Sequence, residues 1–223
     1  MVWQFCNKFA ITMIEKYKHI IWDWNGTIFN DVELCVELIN ELLEPRGLKT
    51  VIIDEYKNVF TIPVRNYYSE LGFDFSKESF EVIGKQWMDE YERRKFECGL
   101  HAGIADVIKR INQLGIGQSI LSAYTQHTLE EMVEHFDLTK YFSHLVGLDN
   151  IYAAGKLHLG KGLMKRLDNS KGETLLIGDT LHDYEVASEI GADCVLVANG
   201  HQSKEKLKTC GALMVDDLTS LVE

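Results

Sequence analysis

The chain has 223 residues, 46% hydrophobic and 26% charged, with a formal net charge of −11. That composition is ordinary for a folded globular protein of one or two domains. The acidic balance excludes nucleic acid and anionic membrane as main partners, but a metal ion and a few lysines can still reverse the field locally for an anionic substrate.

No run reaches the roughly 18 apolar residues of a membrane span. The first fifteen residues are mildly apolar but broken by Lys8 and Glu15, with no signal-peptide pattern. Met13 reads as an alternative start, with residues 1–12 a loose extension. Cys6, Cys35, Cys98, Cys194 and Cys210 are odd in number and scattered without metal or redox spacing. They read as free thiols of a cytoplasmic protein.

In chain order, the first element is "KHIIWDWNGTIFN", residues 18–30. Ile20, Ile21 and Trp22 read as a short buried strand, closed by Asp23 and the turn pair Asn25-Gly26. A carboxylate at a strand end, beside exposed backbone amides, can hold a metal ion and a phosphate together. Trp22 and Trp24 read as packing residues.

The pattern then becomes helical. Val32, Cys35, Val36, Ile39, Leu42 and Leu43 fall on one helical face. Asn30 and Glu33 read as its capping box, and Pro45 and Gly47 as its end. "FTIPVRNYY" (60–68) reads as a loop entering a second helix. Residues 77–97 read as a long helix with Phe80, Ile83, Trp87, Met88 and Tyr91 inward. No strand pattern appears between 31 and 98, so this block reads as an all-helical insertion.

From about residue 100 the texture alternates. Ile104, Val107, Ile108, Ile111 and Leu114 make a helix face. "SILSA" (119–123) reads as a strand ending at Ser122, and Thr128 with Glu131 as the cap of the next helix. Apolar runs at 144–149, 174–179, 194–199 and 213–217 are further strands. Alternating strands and helices predict parallel βαβ units. The expected fold is α/β: a Rossmann-like parallel sheet core, residues 16–30 and 99–223, with an inserted all-helical cap at 31–98.

Asp23, Ser122 and Asp179 each follow a buried apolar run. Parallel strand ends share one edge, so the three side chains can meet in one crevice. Asp183 follows Asp179 by four residues. The pair either caps a helix or completes an oxygen-rich magnesium site with Asp23. Lys156 and Lys161 both precede a helical stretch. His101, His127 and His182 show no ligand spacing and read as structural or exposed.

These motifs resemble the haloacid dehalogenase-like superfamily, mostly magnesium-dependent phosphohydrolases. "DWNGT" is similar to its Asp-x-Asp-Gly-Thr motif at four of five places. "ILSA", a Lys leading into a helix, and "GDTLHD" follow in the family's order. Phosphoglycolate phosphatases are the nearest in cap type. The resemblance implies that Asp23 is the nucleophile on a small phosphorylated metabolite. Asp23, the Asn25 carbonyl, Asp179 and Asp183 would hold Mg2+. Ser122 and Lys156 would bind the phosphoryl oxygens, with Gly26, Thr27 and Ala123 completing the cradle. Lys156, 23 residues before Asp179, leaves more room for a helix and turn than Lys161. Arg65 is a candidate for a second anionic group on the substrate, or else a solvated surface residue. Tyr67 and Tyr68 read as cap core.

Asn25 departs from the family. The Asp usually found there protonates the leaving oxygen and later activates water. An amide cannot trade a proton at neutral pH, and general acid–base catalysis is worth roughly 10²–10⁴-fold. The alternatives are therefore a weakly active or inactive relative that binds a phosphorylated ligand, or a phosphonate hydrolase. The second needs a cap lysine near Pro63, where none stands. Oligomeric state is not encoded in any pattern found.

Overall fold

In the computed structural model, residues 14–149, 155–168 and 172–222 are described. Residues 1–12 and the alternative start at Met13 fall outside them.

Six parallel strands form the central sheet: β1 (His19–Trp22), β4 (Gly117–Thr125), β5 (His144–Leu148), β6 (Thr174–Gly178), β7 (Asp193–Val197) and β8 (Leu213–Val215). Their spatial order is β5-β4-β1-β6-β7-β8. β1 is central and wholly buried, which explains its unbroken apolar run. The chain leaves β1 for β4 on one side and later returns to β6 on the other. That reversal opens a crevice beyond the carboxyl end of β1. Register fixes what reaches it. Trp22 pairs with Ile120 and with Ile177, so Asp23, Ser122 and Asp179 emerge within about one residue of the same level.

The inserted cap carries four helices: α1 (Val32–Leu43), α2 (Ile53–Val59), α3 (Val64–Glu70) and α4 (Phe80–Arg94). A two-stranded antiparallel ribbon, β2 (Phe29–Asn30) with β3 (Gly99–Leu100), stands where the chain enters and leaves the cap. The core helices are α5 (Ile104–Gln113), α6 (Gln126–His135), α7 (Leu157–Leu167), α8 (Leu181–Ile190) and the short α9 (Lys204–Leu207). No helix among the described residues is long and apolar enough to cross a membrane.

Three local expectations change. Asp31, not Asn30, precedes α1, and its side chain makes no cap hydrogen bond. β4 runs past Ser122 to Thr125, with its pairing to β5 irregular between Leu121 and Thr125. α6 therefore begins at Gln126 after Thr125, and the Thr128 hydroxyl meets that of Thr125 at 2.8 Å. The α2 helix had no sequence signal, because three of its seven residues are charged and Tyr56 is its one fully buried side chain.

The cap does not float. Buried side chains of both parts belong to one continuous apolar cluster. Ser203 donates its backbone N–H to the Lys57 carbonyl at 3.1 Å, and the Gln202 side chain donates to the Phe60 carbonyl at 3.0 Å. Trp24 stacks on Phe29 at 5.7 Å, and Trp22 donates to Gln118 at 3.0 Å, both as packing residues. Cys35, Cys98, Cys194 and Cys210 are free, and Cys6 lies outside the described residues.

Candidate active site

A cavity of about 210 Å³ lies between the sheet edge and the cap. Its floor is acidic. Asp23, Asp179 and Asp183 each place a carboxylate oxygen within 4.8 Å of the others, and all three are buried. Burial raises the Asp23 pKa well above the ordinary value, and Asp183 and Asp179 push the same way against Lys156. Burial also pushes Asp179 up, to about 6. Like charges held this close in a dry site demand a cation.

Lys156 supplies part of it. The residue is buried, directly precedes α7, and its ammonium contacts Asp23 and lies 2.6 Å from Asp183. It also donates to the Leu121 carbonyl at 3.1 Å. Lys161 instead pairs with Glu189 on the surface. Burial alone would raise Asp183, but Lys156 and the Thr180 hydroxyl hold it below the ordinary value. Asp183 closes a capping box with Thr180 at the start of α8 and faces the cavity floor.

Ser122, Ala123 and Asn25 line the cavity. The Ser122 oxygen accepts from the Tyr124 backbone N–H at 3.0 Å, which fixes its rotamer. Two cradle expectations are corrected. The Thr27 hydroxyl is fully buried and donates to Asp179 at 2.9 Å, so it holds a carboxylate rather than facing a ligand. The Gly26 N–H donates to the Phe29 carbonyl at 2.8 Å and to Asp31 at 3.1 Å, and is not free. Glycine is needed at 26 because φ is +73° and a Cβ would lie 2.4 Å from Asp179. Arg65 is not brought to the cavity. It is exposed and lies over the Phe75 ring at 4.5 Å.

The side chain of Asn25 is held by residues that no motif marked. Its amide donates to Asp31 Oδ2 at 2.8 Å and to the Tyr91 hydroxyl at 2.7 Å, and Tyr91 donates in turn to Asp31 at 2.6 Å. Both amide hydrogens are thus spent. Asp31 is 1% exposed and also accepts from His201 Nε2 at 3.1 Å. Burial would lower the His201 pKa, but Asp31 raises it to about 9, so the ring is cationic at neutral pH. Its Nδ1 meets the Tyr56 hydroxyl at 2.9 Å, and its backbone N–H donates to Asp179 at 2.6 Å. His201 follows β7 at the same sheet edge as Asp23, the one signal that pointed to it. Tyr91 read as helical core, and no pattern singled out Asp31 or Tyr56. His101 is structural, meeting the Gly26 carbonyl at 3.0 Å. His182 lines the cavity, with Nδ1 3.5 Å from Glu185.

A profile of haloacid dehalogenase-like hydrolases matches residues 20–197. The chain belongs to that family. It is 23% identical to a 5′-nucleotidase of Pseudomonas aeruginosa, over 86% of this chain and 88% of that one. It is 21% identical to a phosphoglycolate phosphatase of Rhodobacter capsulatus, over 82% and 85%. Its fold matches a predicted phosphatase from Clostridium acetobutylicum with a TM-score of 0.79 and 20% identity, covering 92% and 96%.

Proposed function

We propose that this protein is a magnesium-dependent phosphatase that hydrolyses a small phosphate monoester through an aspartyl-phosphate on Asp23. The observation that carries the reading is the buried carboxylate triad of Asp23, Asp179 and Asp183 beside one buried lysine. The all-oxygen donor set and its uncompensated charge suit magnesium. Asp23, Asp179 and the Asn25 carbonyl would hold it, with Asp183 a ligand or an anchor for Lys156. When bound, it neutralises the triad and draws charge from the phosphoryl oxygens.

Residues 16–30 and 99–223 then form the catalytic core, and 31–98 the cap that closes over it. An Asp23 carboxylate oxygen attacks phosphorus, and the ester P–O bond breaks with its electron pair on the leaving oxygen. Lys156 and the Ser122 hydroxyl bind the equatorial oxygens as negative charge moves across them. Water then attacks the aspartyl-phosphate, returning Asp23 and releasing phosphate, and the water proton passes to solvent. Asn25 positions but cannot supply protons, because an amide does not ionise near neutral pH; its amide hydrogens are held by Asp31 and Tyr91.

The test is phosphate release from a panel of monoesters with and without Mg2+. Asp23→Asn should lower turnover by about 10³-fold or more. An acid quench should recover a phosphoryl adduct on the peptide containing Asp23. A second reading, a weakly active protein that works by binding a phosphorylated ligand, is favoured by Asn25 alone. Tight binding of phosphate esters with no turnover on the whole panel would establish it in place of the first.

A further inference from the structure

Above the acidic floor, the cavity is walled by rings. Trp87 stacks on Tyr91 with centroids 4.8 Å apart, and Tyr91 meets Tyr124 edge-on at 5.7 Å. On the facing side, Phe60 and Tyr67 pack edge to face at 5.4 Å. All five line the space a leaving group must occupy, given phosphorus over Asp23. Among the described lining residues there is no arginine, and Lys156 is the one lysine. Lys156 already faces Asp23 and Asp183, and the imidazolium of His201 already faces Asp31. A second anionic group on the substrate would meet no further ammonium or guanidinium there, only polar atoms such as the Tyr67 hydroxyl and His182 Nε2, which have no hydrogen-bond partner of their own, so its charge would be poorly compensated.

The volume sets a further bound. A cavity of about 150 Å³ holds benzene, so about 210 Å³ has room for one ring beside the phosphoryl group. The proton inventory points the same way by an independent route. Asn25 cannot protonate the leaving oxygen, which favours a leaving group that is stable as an anion. A phenol ionises at about 10, whereas water, close to an aliphatic alcohol, ionises only at far higher pH. A phenolate leaves unaided far more readily.

We propose that the substrates of this enzyme are aryl phosphate monoesters, single uncharged aromatic rings joined to phosphate through a phenolic oxygen. The inference rests on the phosphatase reading above. Asp23 forms its bond to phosphorus as the P–O bond to the ring oxygen breaks. The electron pair leaves on the phenolate, which takes a proton from solvent after release.

Steady-state rates of the full chain with Mg2+ test this on phenyl, benzyl and acetyl phosphate, 2-phosphoglycolate and adenosine 5′-monophosphate. Phenyl phosphate should exceed 2-phosphoglycolate and the nucleotide in kcat/KM by about 10²-fold or more. Benzyl phosphate should share its low KM but not its kcat, and acetyl phosphate should pair a high kcat with a high KM. Trp87→Ala should raise KM for phenyl phosphate about tenfold. Without catalysis, phenylphosphonate should bind about tenfold tighter than methylphosphonate by calorimetry.

Faster turnover of 2-phosphoglycolate or the nucleotide would overturn the aryl assignment and leave the phosphatase reading standing. Equal binding of the two phosphonates would also overturn it. Tight phenylphosphonate binding with no ester hydrolysed would sink the phosphatase reading instead and leave a ring-selective phosphoryl site.

Discussion

The two walls of the cavity are built by different means. On the core wall, the charged side chains sit just past strand ends or at the starts of the helices that follow, and the parallel register sets the level of Asp23, Ser122 and Asp179. Every carboxylate there is fixed by a named donor: Thr27 and His201 for Asp179, Lys156 for Asp23, Thr180 and Lys156 for Asp183. On the cap wall, helices deliver rings, and one polar cluster around Asp31 reaches down to hold Asn25. The core wall thus carries charge and chemistry, while the cap wall carries shape. The Asp31 cluster is the seam where the cap controls a core residue.

The largest expected effect comes from breaking the core wall. Asp179→Ala removes a hard oxygen donor and strands the Thr27 hydroxyl and the His201 N–H. Mg2+ affinity should fall by about 10²-fold or more. Stability should drop by about 1–3 kcal/mol from the unpaired buried donors. Calorimetric titration and thermal unfolding read the two separately. Unchanged Mg2+ binding would remove Asp179 from the metal site.

A smaller effect lies at the seam. Asn25→Asp installs the missing carboxyl, but opposite the buried carboxylate of Asp31. Two carboxylates so placed share one proton. That proton is donated to Asp31 rather than to a leaving oxygen. The single variant should therefore gain less than about tenfold on benzyl phosphate. The Asn25→Asp, Asp31→Asn double variant gives the new carboxyl a neutral amide partner. It should recover more of the roughly 10²-fold that general acid catalysis supplies at its lower end. Rates of both variants on benzyl and phenyl phosphate make the comparison, with the gain confined to the alkyl leaving group. Equal rates for single and double variants would mean that Asp31 does not restrain residue 25.

The same division explains what could be read from the chain alone. Buried strands end abruptly, so a polar residue after Ile-Ile-Trp or Leu-Leu-Ile-Gly is visible without a structure. Asp23, Ser122 and Asp179 were found that way, Asp183 by its spacing from Asp179 and Lys156 by the family resemblance, and they converge. Thr27 and Gly26 were placed in the right loop but with the wrong partners, because hydrogen-bond direction is set by tertiary neighbours. Asp31, Tyr56, Tyr91 and His201 were missed. Helical periodicity marks Tyr91 as inward without showing that its hydroxyl meets Asp31 60 residues away. Arg65 was a plausible anion ligand by sequence, but Phe75 and Phe80 hold it outside the cavity.

The smallest effect sharpens the seam through pH. Two buried histidines are shifted in opposite directions. Burial lowers His19, the first residue of β1, to about 4, so its share of stability is lost as pH falls from about 6.5 towards 4. His201 is raised to about 9 by Asp31 despite its burial. Its contribution is complete below the unfolded value of about 6.5 and is lost as pH rises towards 9. Burial raises Asp23 and Asp179 as well, so the share of His201 between about pH 6.5 and 8.5 is read as the difference between the unsubstituted protein and His201→Gln. In that window the metal-free protein should lose about 3–6 °C in melting temperature. Unfolding scans in a chelator measure the slope. His201→Gln keeps a hydrogen-bonding side chain but no charge, so it should flatten the slope while His19→Gln should not. A slope unchanged in His201→Gln would show that the Asp31–His201 ion pair does not tie the cap to the core, and that Asn25 is held by Tyr91 and Asp31 without it.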